Sequence, residues 1–264
     1  MIDYGDRARL GLLVPSGNRV AEPELQAMLP PGVTALVTRL ELRGSSEPEL
    51  LHMIGALEPA ARLLADAGPG LIAFHCTAVS TFAPAMAADI CARIEAAAGI
   101  PACATTDGIL AALARLGIRR LLLVTPYIDA VHEREIGYLA SHGIAVVGGD
   151  RMGVDSNAEM AGIPPAAIAA RVRAAAAASP AGSLGAEACF ISCTAIRSAG
   201  LIAPLEAELG MPVLTSNQAM AWHATRRLGL ADTVPGSAGS WPCNGLPPGG
   251  GPVSSAAIPE ETKP

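Results

Sequence analysis

The chain has 264 residues, of which 51% are hydrophobic, 16% charged and only 3% aromatic. Apolar content this high, spread over many segments, excludes a disordered chain and supports a sizeable core in one large domain or two ordinary ones. A net charge of −6 without any basic run argues against a nucleic-acid surface.

The N-terminal segment MIDYGDRARLGLLVPSGN lacks the apolar stretch, basic flank and small-residue cleavage site of a signal peptide. No apolar run approaches the length of a membrane span. A cytoplasmic location with no membrane partner is therefore expected. In chain order, short apolar runs predict strands at Leu10–Pro15, Val33–Leu40, Leu71–His75, Ala102–Thr105, Arg120–Thr125, Ala145–Gly148, Ala188–Ser192 and Val213–Thr215. Between them, amphipathic patterns predict helices at Glu49–Ala67, Ala83–Ala98, Asp107–Leu116, Asp129–His142 and Pro164–Ala178. Gly99, Gly117, Gly143 and Gly210 each stop a helical run ahead of the next strand. Strand and helix in alternation predict α/β architecture with mostly parallel strands.

An internal repeat organises these elements. GLIAFHCTAVS (70–80) matches EACFISCTAIRS (187–198), setting Cys76 against Cys193 at an offset of 193 − 76 = 117. GIPACATTDGILAALARLG (99–117) matches GMPVLTSNQAMAWHATRRLG (210–229), and LGLLVPSGN (10–18) matches RLLLVTPYID (120–129) with Pro15 against Pro126. Three ordered matches predict two Rossmann-like lobes related by a pseudo-twofold duplication, each a mostly parallel sheet flanked by helices. The lobes are expected at 1–117 and 118–232, with a chain crossover near the end. The Gly/Pro/Ser-rich segment 233–264 reads as a disordered tail, and Cys243 within it is given no role.

Six cysteines lie in apolar segments, without a CxxC pair or a His cluster, so free thiols and no metal site are expected. Each Cys-Thr-Ala triplet follows a strand and precedes small residues that can open a helix. A thiol there feels the positive end of the helix dipole and free backbone N–H groups, which lower its pKa. The same N–H groups, with Thr77, Ser80 and Thr194, can hold a substrate carboxylate. One strand-end cysteine alone reads as a small buried hydrophobe. Two at matched positions point to chemistry. Among the other candidates, His75 reads as structural, because adjacent strand residues face opposite ways. Glu22 and Glu24 read as solvated or capping residues and Asp107 as an N-cap. Arg43 and Arg197 have the geometry to bind carboxylates. No phosphate-binding or GxGxxG motif follows the first strand, so no nucleotide cofactor is expected.

The segments VPSGNRVAEPEL, FHCTAVS, TPYIDAVHERE, MGVDSNAEMAGI and ISCTAIRS together resemble the maleate cis-trans isomerase and arylmalonate decarboxylase branch of the aspartate/glutamate racemase superfamily, over about Leu10 to Leu230. The resemblance implies two lobes with the active site between them and catalysis without metal or organic cofactor. It implies that Cys76 is a nucleophile toward an unsaturated dicarboxylate and that Cys193 assists as acid, base or clamp. By the same resemblance Asn18, Tyr127 and Asn157 contact a small carboxylate substrate. Arylmalonate decarboxylases carry glycine where this chain has Cys76, and Gly17 and Arg19 depart from the isomerase pattern around Asn18. Isomerisation of a maleate-like diacid is the leading expectation. Racemisation by two thiols, arylmalonate-type decarboxylation and carboxylate binding without catalysis are the alternatives, and self-association is left open.

Overall fold

The computed structural model describes residues 3–42, 44, 46–179 and 185–234. Arg43, Cys243 and the tail from 235 onward lie outside the described residues.

All eight predicted strands are present: β1 (Ala8–Pro15), β2 (Val33–Leu40), β3 (Leu71–Phe74), β4 (Ala102–Ala104), β5 (Arg120–Thr125), β6 (Ala145–Arg151), β7 (Ala188–Ile191) and β8 (Val213–Thr215). They form two parallel four-stranded sheets with the orders β2-β1-β3-β4 and β6-β5-β7-β8. The second order is the first one repeated, which is the structural form of the sequence duplication. Central strands are buried on both faces, so β3 (LIAF) and β7 (ACFI) read as continuous apolar runs rather than alternating ones.

Helices α1 (Ala21–Met28), α2 (Glu47–Gly55), α3 (Leu57–Ala65), α4 (Thr77–Ser80), α5 (Met86–Ala98) and α6 (Thr105–Leu116) accompany the first sheet. Helices α7 (Asp129–Ser141), α8 (Asn157–Met160), α9 (Pro165–Ala178), α10 (Ile202–Leu209) and α11 (Ser216–Arg227) accompany the second in sequence. The single helix expected over Glu49–Ala67 is two helices broken at Ala56. Pro59 explains the break: it has no N–H for the carbonyl four residues earlier, and its ring crowds that turn. Asp107 is not the N-cap of α6, which starts two residues before it. From the third helical position its carboxylate accepts the Ala104 N–H at 2.7 Å.

Although α11 follows the second sheet, it packs on α6, α1 and β3. A Cβ on Gly108 of α6 would stand only 2.9 Å from the Ala219 carbonyl of α11, so only glycine lets the two backbones approach this closely. Gly108 and Ala219 are repeat counterparts, since 219 − 108 equals 210 − 99. Counterparts that touch each other lie on the pseudo-twofold axis. In each sheet the chain leaves the first strand in one direction and the third in the other, making a switch point between β1 and β3 and another between β5 and β7. The carboxyl ends at such points are where open α/β sheets bind ligands.

Candidate active site

Four loops leave those switch points, carrying Asn18, Cys76, Tyr127 and Cys193. Cys76 is the N-cap of α4, in ordinary extended backbone (φ −147°). Cys193 has φ +132°, the one positive φ of a non-glycine residue among the described residues. A side chain there costs about 1–3 kcal/mol and persists only where the surroundings over-determine it. They do so here. The Cys193 N–H donates to Ser216 Oγ at 3.1 Å, and Ala195 N–H donates to the Cys193 sulfur at 3.2 Å. Asn217 Nδ2 donates to the Thr194 carbonyl at 3.3 Å, and Asn18 Nδ2 to Thr194 Oγ1 at 3.0 Å.

Both cysteines line one cavity of about 20 Å³, together with Thr77, Tyr127, Asn157 and Thr194 and an apolar side of Leu42, Leu50 and Met160. That volume holds roughly one water. Thr77 Oγ1 donates to Ser216 Oγ at 3.0 Å, so Ser216 joins the loop after Cys76 to the Cys193 amide. Tyr127 lines the same cavity as Cys193, and its buried phenol favours the ionised form of that thiol. Gly17 brings the first loop against α8, with room for a Cβ only at 3.2 Å from that of Asn157.

Two of the expected contacts are placed differently. Asn18 is buried but absent from the cavity lining. Its Oδ1 accepts the Val20 and Ala21 N–H groups at 2.9 and 3.0 Å, closing the turn that leads into α1, while its Nδ2 is given to Thr194. Ser80 turns its hydroxyl back to the Cys76 and Thr77 carbonyls, away from the cavity. Arg197 is exposed and donates to the Gly162 and Ile163 carbonyls at 3.2 and 2.9 Å, which ties the loop after Cys193 to the end of α8.

The expectation of acidified thiols is corrected. Burial pushes Cys76 up to about 12, outweighing the Val79 and Ala78 amides that pull it down. It pushes Cys193 up to about 12 as well, against the Ala195 amide and the Tyr127 phenol. Helix α4 has only four residues, so its end partial charge is small, whereas loss of water around the sulfur is complete. At this burial both thiols are neutral. Burial also raises Tyr127, with Cys193 and then Glu135 adding to the rise.

Ser216 and Asn217, which the sequence did not single out, and His75, which it read as structural, complete the surroundings. Ser216 and Asn217 come from the start of α11. His75, fully buried, lies 2.8 Å from Asn217 Oδ1 through Nε2 and 3.3 Å from Thr105 Oγ1 through Nδ1. Asn217 uses Nδ2 to donate elsewhere, so its Oδ1 must accept, and His75 carries its proton on Nε2. Burial lowers His75 to about 4, which keeps the ring neutral. Among the described residues no group of three or more His, Cys, Asp or Glu side chains is arranged to hold a metal ion. No described helix is long and apolar enough to cross a membrane.

The family model described as arylmalonate decarboxylase matches residues 10–240. The chain is 30% identical to a maleate isomerase of Nocardia farcinica over 243 residues, 87% of this chain and 93% of that protein. It is 28% identical to an arylmalonate decarboxylase of Bordetella bronchiseptica over 222 residues, 83% of this chain and 90% of that protein. A solved variant of the Nocardia farcinica maleate cis-trans isomerase, holding a covalently bound succinylcysteine intermediate, superposes with a TM-score of 0.80 at 24% identity, covering 87% of this chain and 96% of that one. This likeness speaks for the fold.

Proposed function

The chain belongs to the arylmalonate decarboxylase family, the branch of the aspartate/glutamate racemase superfamily that includes maleate isomerases, and from that premise we propose that it isomerises a small cis-unsaturated dicarboxylate of the maleate type. The observation that carries this reading is the pair of cysteines, Cys76 and Cys193, lining one cavity from matched strand ends. The family alone makes the chain an enzyme of isomerase or lyase type.

In the proposed reaction the Cys76 thiol gives its proton to solvent water as substrate enters, and the thiolate sulfur adds to one carbon of the double bond. The electron pair moves to the neighbouring carbon and is held on its carboxylate as an enediolate. The remaining carbon–carbon single bond rotates. The pair then returns to re-form the double bond in the trans geometry as the carbon–sulfur bond breaks, which regenerates the thiolate. Thr77, Asn157 and Thr194 hold the carboxylates, and Cys193 with Tyr127 provides proton or hydrogen-bond support at the opposite face. No step calls on a metal or organic cofactor. Decarboxylation is the second reading, favoured by the similarity to the Bordetella bronchiseptica protein. It needs only one proton donor, so it leaves Cys76 unexplained.

Proton NMR in heavy water over a panel of maleate, arylmalonates and chiral α-substituted acids tests the choice. Conversion of maleate to its trans isomer is expected. Carbon dioxide release from an arylmalonate, or α-proton exchange without isomerisation, overturns the assignment.

A further inference from the structure

Two carboxyl groups, the half-buried Glu24 and the buried Glu135, stand outside this chemistry. They are repeat counterparts, because 135 − 24 = 111 and 126 − 15 = 111 for the matched prolines. Each lies on the helix after the first strand of its sheet. Glu135 is wholly inaccessible, and Glu24 is partly covered. Their neighbours Glu22 and Glu133, also counterparts, are exposed. One glutamate in each pair is therefore turned toward the protein, Glu135 fully and Glu24 in part, where a carboxyl is costly unless it is hydrogen-bonded.

Both reach the residue that precedes a cysteine. Ser192 Oγ donates to Glu135 Oε1 at 2.6 Å, and Ser192 precedes Cys193. Glu24 Oε2 accepts Asn217 Nδ2 at 2.7 Å, and Asn217 Oδ1 accepts His75 Nε2–H at 2.8 Å, where His75 precedes Cys76. Glu24 Oε1 also takes the Ser198 and Ala199 N–H groups at 2.7 and 2.9 Å, beyond the Cys193 turn. His75 and Ser192 differ by 192 − 75 = 117, the offset of the cysteines themselves. The duplication has thus kept a carboxyl behind each thiol, direct in one lobe and relayed in the other.

We propose that Glu135 is the positioning residue of Cys193, acting through Ser192, and that Glu24 is its counterpart for Cys76, acting through Asn217 and His75. The proposal rests on the two-thiol reading of the site. Glu135 carries the heavier task. Cys76 has an ordinary extended backbone, whereas Cys193 sits at φ +132° and needs an anchor on each side. Ser216 holds its N–H from the front, and Ser192 clamped by Glu135 holds the strand end behind it. With that clamp released, the turn relaxes toward ordinary φ and carries the Cys193 sulfur away from Tyr127.

The test compares Glu135→Leu, Glu135→Gln and Ser192→Ala in the full chain. Turnover of maleate is read together with iodoacetamide labelling of Cys76 and Cys193, quantified by peptide mass spectrometry. Glu135→Leu and Ser192→Ala are expected to lower kcat about 10- to 100-fold, as for a sub-ångström to ångström misplacement, with KM within about threefold. Glu135→Gln keeps an acceptor oxygen for Ser192 and is expected to restore kcat to within about threefold. The Cys193-to-Cys76 labelling ratio should change at least about threefold in Glu135→Leu and Ser192→Ala alone. Should Glu135→Leu not fold, Ser192→Ala decides, since it removes a single oxygen. Native kcat and labelling ratio in a folded Ser192→Ala, or a Glu135→Gln as impaired as Glu135→Leu, overturns the proposal. If the wild type leaves maleate unchanged, the functional reading fails, while the labelling ratio still decides for or against Glu135.

Discussion

Asn18 Nδ2 donates to Thr194 Oγ1 at 3.0 Å, joining the first loop of one half of the chain to the residue after the second cysteine. The same side chain closes the turn into α1, its Oδ1 accepting the Val20 and Ala21 N–H groups. Asn18→Ala should therefore lose these buried hydrogen bonds, about 1 kcal/mol, and lower Tm by roughly 2–4 °C. It should also lower turnover, because Thr194 lines the cavity. A melt that superposes on the wild type would show that these bonds carry no weight.

Tyr127 lines the cavity beside Cys193 with a buried phenol that favours the ionised form of that thiol. Tyr127→Phe keeps the ring and its packing but removes that donor. A loss of about 10²–10³ in kcat is expected, comparable to losing one preorganised donor to developing charge. Circular dichroism should remain native. Unchanged turnover would remove Tyr127 from the chemistry.

Both thiols of the cavity are held up near 12 by burial, so labelling of Cys76 by iodoacetamide at pH 7 should be slower than that of a solvent-exposed thiol. The rate should climb through the alkaline range without a plateau below about pH 9, where an ordinary thiol of pKa about 8.5 is already mostly ionised. A plateau near neutrality, read by mass spectrometry of the Cys76 peptide, would restore the acidified thiol that a strand-to-helix junction suggests.

The sequence was informative where the physics is local. The eight strands show as apolar runs bounded by glycine because parallel strands are buried on both faces, and the thiols show because the chain states them twice. The break at Ala56 had a visible cause in Pro59. The thiol pKa was misjudged for a physical reason: a helix N-terminus can be read from neighbouring residues, whereas the desolvation that outweighs it is supplied by chain far away. Ser216 and Asn217 escaped notice because their partners, Thr77 and His75, lie about 140 residues earlier. Glu24 and Glu135 did carry a signal, the offset that aligns Pro15 with Pro126.

Stability should fall in alkali. Cys76, Cys103, Cys189 and Cys193 are each raised by burial to about 12 in the folded chain, while the unfolded chain ionises them near 8.5. Between those values the unfolded state binds fewer protons, so the free energy of unfolding declines as pH rises. The thiol contribution is fully present below about pH 8.5 and is lost upward from there. Thermal melts from pH 8 to 11 should show Tm dropping, with a shallower slope in a Cys103→Ala/Cys189→Ala double variant. A flat Tm across that range would contradict the burial of these sulfurs.

The two cavity cysteines should be separable by substitution, and their pattern decides among reactions. Under addition–elimination, Cys76→Ser lacks a competent nucleophile, since a serine hydroxyl is hardly ionised near neutral pH. Turnover should fall at least about a thousandfold, because the covalent step is the difficult one. Cys193→Ser keeps the nucleophile and loses proton-transfer or hydrogen-bond help, a cost of about 10²–10⁴-fold. Neither change should unfold the chain, as serine occupies slightly less volume. A racemase gives another pattern: each single variant stops racemising yet still exchanges the α-proton of one enantiomer. A decarboxylase gives a third, with Cys76→Gly active and Cys193→Ser dead. Near-native turnover by Cys76→Ser on the true substrate would rule out sulfur addition at that position, because no other group lining the cavity from that strand end offers a nucleophile of comparable strength.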